Sequence, residues 1–173
     1  MERVFLIGYM GCGKSTIGRY IAKDMGWRFI DMDDFVEKQI GCSISQFFAD
    51  KGEDEFRKAE AQALKTLASE HNAIIATGGG APCHFDNIDV MRAAGLTIYI
   101  KVEPQVLAAR LKDAKNQRPL LAGKSDDELL DFISSQLKNR EPFYSKAEMS
   151  VDGDRLPFSA YKPFIETFAL MKE

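Results

Sequence analysis

Short apolar runs alternate along the chain with longer stretches in which apolar residues recur every three or four positions. The runs fall at 4–7 (VFLI), 28–31, 73–77, 97–102 and, more briefly, 149–151. Each is nearly continuous in apolar character, the pattern of strands covered on both faces in a parallel sheet. The amphipathic stretches at 14–25, 33–40, 53–69, 87–94, 105–112, 126–146 and 158–171 predict helices. Strands alternating with helices predict βαβ units, and therefore an α/β fold. The expected architecture is a three-layer sandwich around a central, mostly five-stranded parallel sheet. With no repeat, low-complexity tract or Pro-rich linker, residues 1–173 are expected to form a single domain around one core.

Two regions break this rhythm. From 40 to 54 the pattern dissolves into turns (GCSISQFFADKGED follows Ile40), which suggests short helices outside the main core. From 113 to 125 the run DAKNQRPLLAGKS joins two helices by a loop too long to be a plain connector. Between Arg110 and Lys124 stand five basic residues and one acid, Asp113. A solvated surface would account for such a run. Beside a phosphate-binding loop, a lid that closes over nucleotide phosphates accounts for it better.

Charge and cysteine usage narrow the function. The net charge of −3 argues against a general nucleic-acid binder, whose footprint would be basic. The longest stretch without Asp, Glu, Lys or Arg, 71–85, is short and Gly-rich, so no membrane span is expected. The N-terminal apolar run is too brief for a signal peptide and reads as a buried first strand. Cys12, Cys42 and Cys83 form neither a CxxC pair nor a metal-spaced cluster, and are expected to be reduced thiols in the cytoplasm. His71 and His84 are isolated and carry no assigned role.

The strongest chemical signal is GYMGCGKST, residues 8–16, between the first strand and the first helix. Gly8-x-x-x-x-Gly13-Lys14-Ser15 is the full phosphate-loop pattern in its required strand-to-helix setting. Gly11 and Gly13 let the backbone curl so that successive N–H groups, Cys12 among them, point at a β-phosphate, and the helix N-terminus adds its dipole. Lys14 would reach the β- and γ-phosphates, and Ser15, followed by Thr16, would offer a hydroxyl to Mg²⁺. The spacing does not suit a dinucleotide fold, which needs Gly-x-Gly-x-x-Gly.

Other groups are suited to an acceptor. IDMDDF (30–35) ends the second strand, where ligands of parallel sheets bind. A phosphoryl transferase needs one carboxylate to help hold Mg²⁺ and another to orient or deprotonate the attacking hydroxyl. Asp31 and Asp33 can fill these roles, while Asp34 is expected to cap the next helix. In GEDEFRKAE (52–60) the acids suit a helix N-terminus, and Arg57 suits bidentate pairing with a small carboxylate or phosphate. ATGGGAP (76–82) lets backbone pass close to a ligand, with a flexible turn as the alternative. Arg118 in the lid-like loop and Arg140 in NREPFY are further candidates.

Together, GYMGCGKST, IDMDD, GEDEFRKAE, TGGGA, RPLLAG (118–123) and NREPFYSKA (139–147) resemble the shikimate kinase family in order and spacing. The resemblance implies a P-loop kinase fold with substrate-binding helices at about 32–62 and a lid at about 112–124. It implies transfer of the ATP γ-phosphoryl group to the 3-hydroxyl of shikimate in aromatic amino acid (chorismate) biosynthesis. By family pattern Asp33, Arg57, Gly79, Gly80 and Arg140 bind shikimate, the two arginines taking its carboxylate. Asp31 supports Mg²⁺ through water, with Ser15 as direct ligand. Lys14, Asp33 and Arg118 form the catalytic set, Arg118 closing from the lid. Gly11, Cys12, Gly13, Lys14, Ser15 and Thr16 hold ATP, with Arg110 and Arg155 near the adenine. The expected protein is a cytoplasmic monomer whose partners are ATP and shikimate.

Two rivals remain in view. Another small-molecule kinase, for gluconate or a nucleoside monophosphate, would also use an anion-binding Arg57 and Arg140. A guanine-nucleotide switch would need Asp-x-x-Gly and Asn-Lys-x-Asp, and neither occurs in the chain. A binding module without turnover would hold ATP yet phosphorylate nothing.

Overall fold

A computed structural model describes residues 3–112, 121 and 123–171. Its centre is one five-stranded sheet in the order β2-β3-β1-β4-β5. The strands are β1 (Arg3–Ile7), β2 (Arg28–Asp31), β3 (Ala73–Ala76), β4 (Leu96–Lys101) and β5 (Met149–Asp152). Every pairing is parallel. The helices are α1 (Lys14–Met25), α2 (Met32–Ile40), α3 (Ile44–Leu67), α4 (Asn87–Ala94), α5 (Pro104–Lys112), α6 (Asp126–Tyr144) and α7 (Tyr161–Met171).

Alternation along the strands feeds two cores. Val4 and Leu6 pack with Ile17 and Ile21 of α1, Leu107 of α5, Ile133 of α6 and Ile165 of α7. Phe5 and Ile7 turn the other way, onto Val36 of α2, Leu64 of α3 and Met91 of α4. Helices therefore cover both faces, as the three-layer expectation required, and this is why the strands read as unbroken apolar runs. Burying a side chain of this size contributes roughly 1.5–3 kcal/mol.

The strand order also fixes where a ligand can sit. The chain leaves β1 for the β2–β3 side of the sheet and later crosses to β4 and β5. Connections leaving β1 and β3 thus part to opposite faces, opening a crevice at their carboxyl ends. The phosphate loop follows β1, TGGG follows β3, and Asp31 ends β2.

One local expectation is corrected and another is met. Asp34 does not cap α2. Asp31 does, in an extended conformation (φ −87°, ψ 120°), its side chain accepting from the Asp33 N–H. The strand therefore passes into the helix without a linker, and Asp34 falls in the first turn. The short helix suggested within 40–54 is present: after a turn at 41–43, α3 starts at Ile44, capped by Ser43, and runs to Leu67. Gly52 breaks the helical geometry with φ 82° and ψ 175°, which a side chain would resist, so α3 is two helices that meet at a kink, the second starting at Glu53. Most of the expected lid, including Arg118, lies outside the described residues.

Candidate active site

The crevice holds a cavity of about 350 Å³ lined by Gly11, Gly13, Lys14, Ser15, Thr16, Asp31, Asp33 and Gly79, with Met10, Thr77 and Gly78. Sequence-predicted donor and acceptor groups thus meet in one space. The phosphate loop curls as its glycines allow, with φ of 144°, 80° and 100° at Gly8, Gly11 and Gly13. Gly13 is the N-cap of α1, so the helix N-terminus points into the cavity. Cys12 contributes only backbone: its side chain is 1% exposed and packs inward, with Sγ 3.7 Å from Lys14 Nζ.

Lys14 donates to the carbonyls of Gly8 (2.7 Å) and Tyr9 (3.0 Å), which holds its charge over the loop. Ser15 donates to Asp31 Oδ2 at 2.9 Å, while Asp31 Oδ1 takes the Asp33 N–H at 3.1 Å. One carboxylate therefore ties the first turns of α1 and α2 together. Asp33 opens toward the cavity and is exposed there. Desolvation, then the neighbouring Asp31 charge, pushes its pKa up, against the pull of Lys14.

Across the cavity the three glycines after β3 make room for three charged groups. A methyl on Gly78 would stand 2.8 Å from Asp33 Oδ1 and 3.1 Å from Glu60 Oε1. On Gly79 it would meet Arg140 Nη1 at 3.3 Å, and on Gly80 it would meet Arg57 Nη1 at 2.8 Å. The glycine run is thus a flat floor against which the acceptor-side side chains lie.

The two arginines differ in their surroundings. Arg57 is braced by Glu53 (3.0 and 3.1 Å) and Glu60 (3.0 Å), with its guanidinium over the rings of Phe56 and Phe48 at 5.2 and 6.0 Å. Arg140 lies over the Tyr9 ring at 5.1 Å and donates to Gln136 at 3.2 Å. Among the described residues it pairs with no carboxylate, although it is largely enclosed. A desolvated guanidinium that no carboxylate pairs directly is a ready anion site.

Glu60 was not anticipated from the sequence. It is 2% exposed, and burial raises its pKa despite Arg57. Its one readable signal was the i, i+3 spacing from Arg57, which puts both on one helix face. Of the adenine candidates, Arg110 reaches the loop, donating to Gly11 O (3.2 Å) and Asp154 (2.5 Å). Arg155 is not brought to this cavity: its side chain is 89% exposed, beside a separate cavity of about 520 Å³ behind Asp152 and Asp154.

The described residues include no helix long and apolar enough to cross a membrane. They also include no group of three or more His, Cys, Asp or Glu that could hold a metal by itself.

Comparison with known proteins agrees with this geometry. The family model described as shikimate kinase matches residues 10–166. A shikimate kinase of Phocaeicola vulgatus is 49% identical over 156 residues, covering 90% of this chain and 89% of the relative. The crystal structure of shikimate kinase from Bacteroides thetaiotaomicron superposes with a TM-score of 0.89 at 40% identity, over 97% of this chain and 98% of that one. Shikimate kinase from Acinetobacter baumannii, solved in complex with shikimate, gives 0.84 at 29% identity, over 100% and 95%. With the phosphate loop, Gly78 and Gly79 lining one cavity, and Arg140 and Arg57 against Gly79 and Gly80, the chain belongs to the shikimate kinase family.

Proposed function

We propose that this protein transfers the γ-phosphoryl group of ATP to the 3-hydroxyl of shikimate, giving shikimate 3-phosphate and ADP in aromatic amino acid biosynthesis. The observation that carries the reading is Arg140. It is an enclosed guanidinium that no carboxylate pairs among the described residues, lying over the Tyr9 ring of the phosphate loop and against Gly79. An acceptor with one carboxylate and several hydroxyls matches it, with Arg57 as second carboxylate donor and Asp33 facing the hydroxyls.

Phosphoryl transfer asks for alignment and charge neutralisation more than for covalent chemistry. Lys14 exchanges the carbonyls of Gly8 and Tyr9 for phosphate oxygens, keeping its charge where negative charge gathers. Backbone N–H groups of residues 11–16 cradle the β-phosphate. Asp33, its carboxylate made more basic by desolvation, orients the hydroxyl and accepts its proton. Ser15, and Asp31 through water, are oxygen donors of the kind Mg²⁺ prefers and would hold it here. Mg²⁺, when bound, neutralises charge on the transferring phosphates. Arg118 and the lid at 112–124 close over the donor by family pattern, and Arg110 lies against the base. The same reading makes the protein a cytoplasmic monomer that needs neither nucleic acid nor membrane. The free thiols of Cys12, Cys42 and Cys83 support a reducing compartment.

The test is an ADP-release assay with shikimate, gluconate and nucleoside monophosphates offered in parallel, and the product mass measured. Mg²⁺-dependent turnover with shikimate alone is expected. Comparable turnover with another acceptor, or ATP binding without ADP release, overturns the proposal.

A further inference from the structure

We infer that Tyr144 is a positioning residue for the acceptor: its hydroxyl sets the Gly79–Gly80 peptide and the Arg140 guanidinium in one arrangement. The inference rests on shikimate being the acceptor, and it adds a residue that touches none of the reacting atoms.

Tyr144 is the last residue of α6 and stands one turn beyond Arg140, so both side chains leave the same helix face. It is fully buried, and its hydroxyl donates to Gly79 O at 2.6 Å, at the short end for such a bond. Gly79 is the residue wedged between the phosphate loop and Arg140. A methyl there would stand 3.4 Å from Met10 N and 3.3 Å from Arg140 Nη1. Three successive glycines leave the peptides of this floor free to rotate. The bond from Tyr144 selects one orientation. The Gly79–Gly80 peptide is trans, as is every peptide among the described residues, so turning the Gly79 carbonyl toward Tyr144 turns the Gly80 N–H the opposite way. A flipped peptide would leave the buried hydroxyl without its acceptor.

The Arg140 guanidinium stands beside the same hydroxyl, which couples the anion site to the floor. Burial outweighs Arg140 and keeps the phenol well above its ordinary range, so it remains a donor at any working pH. The ring cannot swing: it packs on Tyr99 at 5.1 Å, and Tyr99 is itself tied to Glu141 Oε2 at 2.8 Å.

A buried tyrosine can be mere core, and this protein contains one. Tyr161 is 1% exposed, and its hydroxyl makes no hydrogen bond among the described residues. The fold therefore tolerates a buried phenol without a partner, whereas the one at 144 is aimed at the glycine floor.

Tyr144→Phe keeps the ring and removes only the donor. The expected result is an about tenfold rise in the KM for shikimate, the size of one lost hydrogen bond at a buried carbonyl, with the KM for ATP within about twofold of wild type. Tyr99→Phe, which frees Glu141 and not Gly79, should leave the shikimate KM within about twofold. In an Arg140→Lys background the Tyr144→Phe effect should shrink to less than about threefold, because the two groups act together. Equal rises in both KM values, a loss confined to kcat, full additivity with Arg140→Lys, or a Tyr144→Phe protein that does not fold would each overturn the inference. Failure of the underlying reading shows separately, in wild-type protein that does not turn over shikimate, and would remove both.

Discussion

The donor half of the cavity gathers its chemistry within residues 8–16, while the half facing it draws on four elements. Asp33 comes from α2, Arg57 and Glu60 from α3, the glycine floor from the turn after β3, and Arg140 from α6. The donor half is backbone bent by positive φ, with one lysine laid across it. The acceptor half is side-chain charge laid on a floor without side chains. Phosphates are common to many ligands, and a contiguous loop can recognise them anywhere in a sequence. A particular polyol acid needs several directions of contact, and only the fold can bring those together. Generality lies in the loop, and specificity lies in the assembly opposite.

The sharpest way to break this division is at its two catalytic ends. Lys14→Ala should lower kcat by about 10³-fold while the protein stays folded, because a charge aimed at the transferring phosphate is lost from an enclosed site. Turnover and a melting curve check this, and a loss confined to the KM for ATP would make Lys14 a simple tether. Asp33→Asn should cost about 10²-fold in kcat. Here pH adds a sign. The working form is the carboxylate, and desolvation together with Asp31 raises its pKa. In the wild type, kcat/KM for shikimate should therefore fall as pH drops, with its midpoint above the ordinary carboxylate range. Asp33→Asn should be flat over that limb. An unchanged limb in the variant would assign it to another group.

Within the acceptor half the arginines should separate. Either Arg57→Ala or Arg140→Ala should raise the KM for shikimate by about 10- to 100-fold, the worth of a charged hydrogen bond or two. Only Arg57→Ala should also weaken the fold at neutral pH, by about 2–3 kcal/mol, since it strands the buried Glu60. Glu60 already binds a proton more readily folded than unfolded, so that loss should shrink as pH falls through its raised pKa. Equal stability of the two variants in urea melts would show that Glu60 does not depend on Arg57.

The same contrast explains what the sequence disclosed. The phosphate loop was legible because its residues are adjacent and their spacing is the mechanism. The strands were legible because two covered faces leave no polar alternation. The cap of α2 was not, since Asp31, Asp33 and Asp34 have similar local propensity and only the end of β2 chooses among them. The break within α3 was legible, since Gly52 reads as a helix boundary and its non-helical angles make it one. Glu60 was obscured because a glutamate on an amphipathic helix reads as solvated. Its burial follows from the glycine floor and Arg57, which lie far apart in sequence. Arg57, Arg140 and the glycine run were candidates from their residue types, family resemblance gave them their roles, and the fold is what places them side by side.

The finest test exchanges glycines between the halves. Gly8 has φ 144°, and a methyl there would stand 2.7 Å from the Ile100 carbonyl oxygen, a backbone atom that cannot step aside. Gly8→Ala should therefore cost about 3 kcal/mol, or roughly 6–12 °C of melting midpoint. Gly80 has ordinary helical angles (φ −86°, ψ −21°), and the three atoms nearest its methyl would all belong to the guanidinium of Arg57, the first at 2.8 Å. The end of a long side chain can move by that amount. Gly80→Ala should leave the melting midpoint within about 2 °C of wild type, and raise the KM for shikimate by about threefold as Arg57 is displaced. A large stability loss at Gly80 would mean that the floor is as rigid as the loop, and the division between a backbone-built donor side and a side-chain-built acceptor side would fail there.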